Sequence, residues 1–303
     1  MTEALAGRTA IVTGAGRGIG RATALALARL GAAVVVNDIG RDEGGAATAD
    51  GVAEEIRAAG GRAAANTDSV TDWEGAARMV ALGQSEFGSL DILVNNAGIA
   101  FSGSAWDIDA ERFDRIVATH VQGSFYCARH ALGPMREQGW GRIVNLVSRA
   151  GITGMPNSLP YGVGKGGVFG LTNALSRDVD GSGITVNAVN PSSTGTPMVA
   201  KALENLAALG EEGRQRAESL RAKMQSPDQV AVAIASLCLP SAGHINGQIF
   251  LVEHNKIGLF QPLTITQDVD RADPWTPEAL CEALGKLELH GLADAYSGGG
   301  PKA

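Results

Sequence analysis

The 303-residue chain has few cysteines and no long apolar run. Its three cysteines, Cys127, Cys238 and Cys281, are scattered and lack the spacing of a zinc site. This usage favours a reducing, cytoplasmic environment over a disulfide framework. Because no stretch of 18 consecutive apolar residues is present, we expect no membrane span. The first eight residues include Glu3 and lack an apolar segment, so they do not predict a signal peptide.

Basic clusters and clustered metal ligands are also lacking. The net charge is −7 with no basic block, which argues against nucleic acid as a partner. The five histidines are dispersed, and we expect no required metal. They are His120, His130, His244, His254 and His290. What the chain does have is 45% hydrophobic residues, enough for one large core.

Short apolar runs alternate with helical patterns along the first 250 residues. The predicted strands span residues 9–12, 33–37, 62–66, 90–94, 142–147, 185–189 and 248–252. The predicted helices span residues 18–30, 52–59, 73–87, 110–131 and 161–179. The strands are continuous Val/Ile/Leu runs, as expected for a parallel sheet covered on both faces. The order predicts an α/β doubly wound (Rossmann) sheet of about seven strands.

The same pattern suggests one domain with an appendage. Residues 1–254 form the predicted catalytic domain, in which the helix-prone segment 198–226 follows the sixth strand. Its place near the carboxyl ends of the strands suggests a substrate lid. Residues 255–303 form a C-terminal extension, in which Pro277 predicts a helix over 277–287.

A glycine-rich turn follows the first strand and opens the first helix. It reads Thr13-Gly14-Ala15-Gly16-Arg17-Gly18-Ile19-Gly20. Glycines let the backbone approach a pyrophosphate, and the helix N-terminus offers free amides to it. The turn therefore predicts a dinucleotide site.

Asp38, at the end of the second strand, bears on the choice of nucleotide. A carboxylate there can accept both ribose hydroxyls and would repel a 2′-phosphate, so NAD is favoured over NADP. Arg17 and Arg41 are the counter-evidence, because a guanidinium can hold a phosphate.

Ser148, Tyr161 and Lys165 suggest the chemistry. Tyr161 and Lys165 are four residues apart, so on a helix they face the same way. An ammonium beside a phenol, whose free pKa is about 10, favours the phenolate. A serine hydroxyl from another element could hold the same substrate oxygen. The set predicts a tyrosine acting as general acid and base.

These motifs, with Asn95-Asn96-Ala97-Gly98 and Pro191…Thr196, resemble the short-chain dehydrogenase/reductase family. The resemblance implies that Tyr161 moves the proton, that Ser148 orients the substrate and that Lys165 holds the nicotinamide ribose. It further implies that Asp68 and Ser69 contact the adenine and that Asn95, Asn96, Ala97 and Gly98 line the adenosine side. Pro191 and Thr196 would flank the nicotinamide. Family members commonly form homodimers or homotetramers.

The chain departs from the family pattern in three places. His120 stands where the family usually has an asparagine whose backbone carbonyl, at a helix kink, holds a water leading to the lysine. We expect the carbonyl role to persist, while the imidazole either joins the proton relay or is a packed core residue. Ser192 replaces a glycine after Pro191. The catalytic helix is rich in glycine, which indicates either close approach of a partner helix or a weak helix held by packing.

Some stretches are similar to the (3R)-hydroxyacyl-CoA dehydrogenase modules of multifunctional β-oxidation enzymes and their bacterial relatives. They are residues 34–40, 65–70 and 120–125, with Ile257-Gly258 and residues 275–279 of the extension. This resemblance implies an NAD-dependent oxidoreductase that interconverts a secondary alcohol and a ketone in a 3-hydroxyacyl-CoA or similar bulky apolar substrate. The alternatives are an NADPH-dependent 3-oxoacyl-carrier-protein reductase, a steroid or terpenoid alcohol dehydrogenase and, more distantly, a non-catalytic NAD-binding module.

Overall fold

The structure, a computed structural model, describes residues 3–101, 103, 105–260 and 265–288. Across these residues the framework is one sheet of eight strands in the order β3-β2-β1-β4-β5-β6-β7-β8. The first seven strands are parallel, and β8 pairs antiparallel with β7. They are β1 Thr9–Thr13, β2 Ala33–Asn37, β3 Arg62–Asn66, β4 Ile92–Asn95, β5 Gly141–Leu146, β6 Ile184–Pro191, β7 Ile249–Glu253 and β8 Lys256–Leu259.

Helices cover both faces of the sheet, which confirms the predicted doubly wound fold. They are α1 Gly18–Arg29, α2 Thr48–Ala58, α3 Trp73–Phe87, α4 Ala110–Val117, α5 Gly123–Glu137, α6 Arg149–Ile152, α7 Leu159–Asp178, α8 Pro197–Ala207, α9 Glu211–Ala222, α10 Pro227–Leu237 and α11 Pro277–Leu284. Alternate residues of each strand serve opposite cores. Val34 and Val36 pack in the core with α1, α2 and α10, whereas Val35 packs in the core with α3 and α5. Burial on both faces explains the uninterrupted apolar runs.

Several elements differ from the prediction, among them the short helix α6, which was not predicted. The single helix expected over residues 110–131 is two helices, α4 and α5, joined by a π-helical turn at Ala118–Gln122. Strand β8 was not predicted, because it is a short edge strand whose position depends on pairing with β7. Helix α10 was not predicted either, although Ser226 and Gln229 form a capping box ahead of it and Pro227 occupies its first turn.

The chain divides into two compact units, residues 1–259 and 260–303. The expected boundary after residue 254 falls inside the β7–β8 hairpin, so β8 belongs to the first unit. In the second unit α11 begins after Thr276, whose hydroxyl accepts from the Ala279 amide, and it occupies part of the predicted helix over 277–287. Residues 289–303 of the extension lie outside the described residues. Within the described ranges, no helix combines the length and apolarity needed to cross a bilayer.

Candidate active site

The glycine turn joins β1 to α1 at the carboxyl edge of the sheet. Gly14 and Gly18 have φ of +62° and +56°, in the left-handed region that favours glycine. A Cβ on Gly14 would lie 2.8 Å from the Cα of Ala97, so the turn packs closely on the loop after β4. Gly20 is buried, and Ile19 packs against the core beneath the turn. Arg17 is the N-cap of α1, and its guanidinium donates to the carbonyl of Arg41 rather than capping the helix. The first-turn amides therefore suit a pyrophosphate.

Asp38 is held over this turn by two backbone amides. Its carboxylate accepts from the N–H of Gly16 at 2.8 Å and from the N–H of Gly40 at 2.7 Å. A Cβ on Gly16 would collide with Thr48 and lie 2.8 Å from the Asp38 carboxylate, so that glycine is required by close packing. The fixed carboxylate suits two ribose hydroxyls and opposes a phosphate at the same place.

The loop after β4 is hydrogen-bonded to the glycine turn. The side-chain amide of Asn95 donates to the side-chain oxygen of Asn145 at 2.9 Å, and Asn95 is 4% exposed. Asn96 donates to the carbonyls of Thr13 and Gly14 at 2.8 and 3.0 Å, and the Ala97 amide donates to the Thr13 hydroxyl. The Asn95 side chain is therefore buried between β4 and β5, and its lining of the adenosine side stays a prediction.

Ser148, Tyr161 and Lys165 come together at the carboxyl ends of β5 and β6. Ser148 is the N-cap of α6, where its hydroxyl accepts from the Ala150 amide at 3.2 Å. The Ser148 side chain also lies near the phenol of Tyr161, in the first turn of α7, where it acts to lower the pKa of that phenol. Lys165 lies one turn later, with its Nζ 5.9 Å from the centroid of the Tyr161 ring. The three side chains thus form one cluster, as a proton-transferring site needs.

Burial controls the protonation of this cluster. It raises the pKa of Tyr161, and the hydrogen bond with Ser148 partly offsets that rise. This direction is opposite to the lowering expected from Lys165. Burial also lowers the pKa of Lys165 to about 8, and its ammonium donates to the carbonyl of Leu146 at 2.6 Å. Lys165 therefore remains mainly charged at neutral pH and approaches deprotonation in mild alkali.

His120 lies in the π-helical turn and is 1% exposed. Its Nε2 is 2.7 Å from the carbonyl oxygen of Ile99 and 3.3 Å from the Ile99 nitrogen. Its ring packs edge-on against Tyr161 with the centroids 5.6 Å apart. Burial and the nearby Lys165 lower the pKa of His120 to about 3. Of the two expected roles for the imidazole, this geometry favours the packed, hydrogen-bonded residue, because Nε2 is engaged by the backbone of Ile99 and the lowered pKa disfavours a charged ring near neutral pH.

The glycines of α7 are explained by neighbours within the same chain. A Cβ on Gly164 would lie 2.7 Å from Ile116 and 3.3 Å from His120. A Cβ on Gly167 would lie 2.5 Å from Val121, and Gly162 and Gly166 face α6 in the same way. Gly170 alone among these five has open space. Contacts with α4, the π-helical turn and α6 of the same chain thus account for most of these glycines, and a partner helix stays a prediction.

The remaining expected residues surround the same edge. Asp68 accepts from Arg78 at 2.6 Å, and this bond lowers the pKa of the Asp68 carboxyl. Ser69 is bonded to Thr71, and Pro191 ends β6. Thr196 is the N-cap of α8, and its methyl group lies 3.2 Å from where a Cβ of Gly18 would be. In the part of the chain that the structure describes, no three His, Cys, Asp or Glu side chains converge as a metal site.

The sequence reasoning missed the backbone partners of the site. The carbonyls of Leu146 and Ile99 fix Lys165 and His120, yet a backbone group leaves no signal in the residue type. Arg78 was also missed, because nothing in its local pattern links it to Asp68, ten residues earlier. Only the tertiary arrangement brings these groups together.

A doubly wound sheet with a glycine turn and a Ser–Tyr–Lys cluster at its carboxyl edge defines a nucleotide-dependent oxidoreductase acting on hydroxyl and keto groups. The chain belongs to the short chain dehydrogenase family, whose profile matches residues 8–207. Its cofactor is of the NAD(P) type that this family uses.

Similar proteins span several substrates. The chain is 39% identical over 254 residues to cis-4-hydroxycyclohexanecarboxylate dehydrogenase of Sinomonas cyclohexanicum, covering 84% of this chain and 98% of that protein. It is 38% identical over 288 residues to peroxisomal multifunctional enzyme type 2 of Mus musculus, covering 93% of this chain and 36% of that longer protein. Among solved structures, a short chain dehydrogenase from Mycobacterium avium matches with a TM-score of 0.80 and 34% identity, covering 93% of this chain and 94% of that one.

Proposed function

We propose that the protein is an NAD-dependent dehydrogenase that interconverts a secondary alcohol and a ketone in a 3-hydroxyacyl-CoA or similarly bulky apolar substrate. The observation that supports the substrate class is the extent of the match to the mouse multifunctional enzyme, taken with the resemblance of several stretches to the hydroxyacyl-CoA dehydrogenase modules of multifunctional β-oxidation enzymes. A match covering 93% of the chain extends beyond residue 259 into the second unit. The match to the hydroxycyclohexanecarboxylate dehydrogenase covers 84%, which the first unit alone could supply.

The cluster at α7 supports the chemistry. In the oxidation direction the Tyr161 phenolate takes the hydroxyl proton of the substrate, and in reduction the phenol returns it. Ser148, which lies in the same cluster, donates to the substrate oxygen. The Lys165 ammonium stabilises the phenolate electrostatically. When bound, the dinucleotide would accept or supply a hydride through its nicotinamide. The glycine turn, Asp38 and Lys165 would hold the dinucleotide.

The position of Asp38 supports NAD over NADP. Its carboxylate is fixed by two amides over the turn, where it can accept ribose hydroxyls. Arg17 and Arg41, the residues that favoured NADP, each donate to a backbone carbonyl. Cofactor preference also separates this proposal from the NADPH-dependent carrier-protein reductase.

The first test measures cofactor preference. NADH should support turnover at least tenfold better than NADPH, and Asp38→Ser should reduce that ratio because the repulsion of the 2′-phosphate is removed. Asp42→Asn is the matched control, since it removes an exposed carboxylate of the same loop. A wild-type preference for NADPH would contradict the NAD assignment and favour the reductase.

The second test measures substrate class. NADH oxidation with 3-ketoacyl-CoA esters of rising chain length should exceed the reverse-direction rates on free 3-hydroxybutyrate and cis-4-hydroxycyclohexanecarboxylate. Turnover confined to the free acids would contradict the thioester proposal and leave the Ser–Tyr–Lys chemistry standing. Nucleotide binding without turnover on any alcohol would favour the non-catalytic module.

We further propose a homodimer or homotetramer. Phe125 on α5 and Val163 on α7 are large apolar side chains that are more than two-fifths exposed, and Gly170 on α7 is open. A second copy would cover this face. Light scattering at rising protein concentration tests the assembly, and a monomer throughout would contradict it.

A further inference from the structure

Helices α8 and α9 lie between Thr194, after β6, and Gln225, and these two residues are paired. Their pairing is a parallel bridge. The Gly195 amide donates to the Gln225 carbonyl at 2.9 Å, and the Gln225 amide donates to the Ser193 carbonyl at the same distance. Residues 196–224, here called the α8–α9 segment, are therefore closed at their base by the backbone of one residue.

The side chain of Gln225 is buried at this base, being 2% exposed. Its Nε2 donates to the carbonyl of Val252 at 2.9 Å and to the hydroxyl of Thr194 at 3.2 Å. Its Oε1 accepts from the His254 amide at 2.6 Å. One primary amide thus joins the loop after β6, the end of β7 and the β7–β8 turn. Both ends of the amide are needed, because Val252 offers only an acceptor and His254 only a donor.

The loop that Gln225 holds rests on the glycine turn. The Thr196 amide donates to the Thr194 carbonyl at 2.8 Å. The Thr196 methyl group is 3.2 Å from where a Cβ of Gly18 would be. Hydrogen bonds thus link Gln225 through Thr194 to Thr196, and Thr196 lies next to Gly18 at the N-terminus of α1.

We propose that Gln225 is a positioning residue that fixes the loop 192–196, and with it the base of the α8–α9 segment, over the cofactor-binding turn. The cofactor site itself belongs to the family, and the role of Gln225 is argued from its contacts in this chain. A buried amide suits this role because it joins a donor and acceptors at fixed distances and bears no charge to bury. Loosening it should free the segment and weaken the nucleotide site without touching Ser148, Tyr161 or Lys165.

Gln225→Glu is the sharpest test, because glutamate has the same shape. One carboxylate oxygen can still accept from His254, but the other then faces the Val252 carbonyl, where two acceptors repel. Gln215→Glu is the matched control, since Gln215 is an exposed residue of α9 in the same segment. Two quantities are measured on the full chain: the rate of tryptic cleavage within the α8–α9 segment, and the Kd of NADH and of NADPH from fluorescence titration. The cleavage rate in the absence of nucleotide does not depend on which cofactor or substrate the enzyme prefers.

We expect Gln225→Glu to be cleaved within the segment about tenfold faster than wild type and to bind the preferred nucleotide about tenfold more weakly. Gln215→Glu should match wild type in both. Wild-type cleavage and affinity in Gln225→Glu would overturn the proposal, as would faster cleavage spread over the whole chain. If Gln225→Glu does not fold, Thr194→Val decides the question, because it removes the hydroxyl that accepts from Gln225 and donates to the Ser192 carbonyl, both within the base of the segment. If Thr194→Val changes the same two quantities by a smaller amount, the proposal is supported. If it changes neither, the proposal is overturned.

Discussion

Tyr161 lies in an environment that opposes its ionisation. Burial raises its pKa, and the hydrogen bond with Ser148 is the contact that lowers it. The phenol therefore depends on neighbours to become a base, and it is the group whose loss should cost most.

Tyr161→Phe should lower kcat by about a thousandfold, because the proton-transferring oxygen is lost while the ring remains. NADH binding should persist. Tyr126→Phe is the control, since Tyr126 of α5 packs against Trp73 of α3, away from the cluster. Steady-state rates with both variants check this, and a Tyr161→Phe enzyme retaining a tenth of wild-type kcat would contradict the assignment.

Lys165 places a buried ammonium in the folded protein. Its pKa is lowered to about 8 from 10.5, so between these values the unfolded chain binds more protons than the folded one, and stability rises with pH. Lys165→Met removes this dependence. The free energy of unfolding of wild type relative to Lys165→Met should therefore increase by on the order of 1–3 kcal/mol from pH about 7 to pH about 10. Urea denaturation at both pH values measures it. If the difference in unfolding free energy between the two proteins is the same at both pH values, burial of the Lys165 ammonium does not destabilise the folded state.

At the scale of the element, α7 carries Tyr161 and Lys165 on a helix that contains five glycines in its first twelve residues. Their packing is unequal. Gly167 faces Val121 of the π-helical turn, whereas Gly170, one turn later, has open space.

Gly170→Ala should stabilise the protein by about 0.5–1 kcal/mol, because alanine loses less backbone entropy in a helix. Gly167→Ala should destabilise it by about 1–3 kcal/mol, since its Cβ would lie 2.5 Å from a Val121 methyl. Thermal unfolding of both variants compares them. Destabilisation by Gly170→Ala that disappears on dilution would instead place a second copy against this face.

At the scale of the whole molecule, both cores lie within the first unit. Strand β8 covers the edge of β7, an apolar strand with the sequence Ile-Phe-Leu-Val-Glu. The boundary of the folded unit therefore depends on keeping this hairpin.

A chain ending at residue 259 should unfold cooperatively with a Tm within a few degrees of the full chain, because it retains both cores and the hairpin. A chain ending at residue 252 should aggregate, since it exposes the unpaired edge of β7. Calorimetry and light scattering compare the two. Equal solubility would show that β8 is dispensable. Equal rates of the 259-residue chain with long acyl-CoA esters would show that the extension does not contribute to substrate binding.

The sequence by itself determined the fold class, the edge of the sheet that holds the site, and the identity of the Ser–Tyr–Lys cluster. These follow from local signals: apolar runs fix the strands, glycines fix the turn, and a spacing of four places Tyr161 and Lys165 on one helix face. It did not determine the environment of those groups. The raised pKa of Tyr161 depends on burial by distant segments.

Only the tertiary structure decided what the unusual residues do. His120 is held by the backbone of Ile99, the glycines of α7 make room for the π-helical turn, and Gln225 joins three segments. The physical reason is common to all three, because their partners are backbone groups or side chains far apart in sequence, which no local pattern records. For His120 and Gln225, burial increases the contribution of their hydrogen bonds.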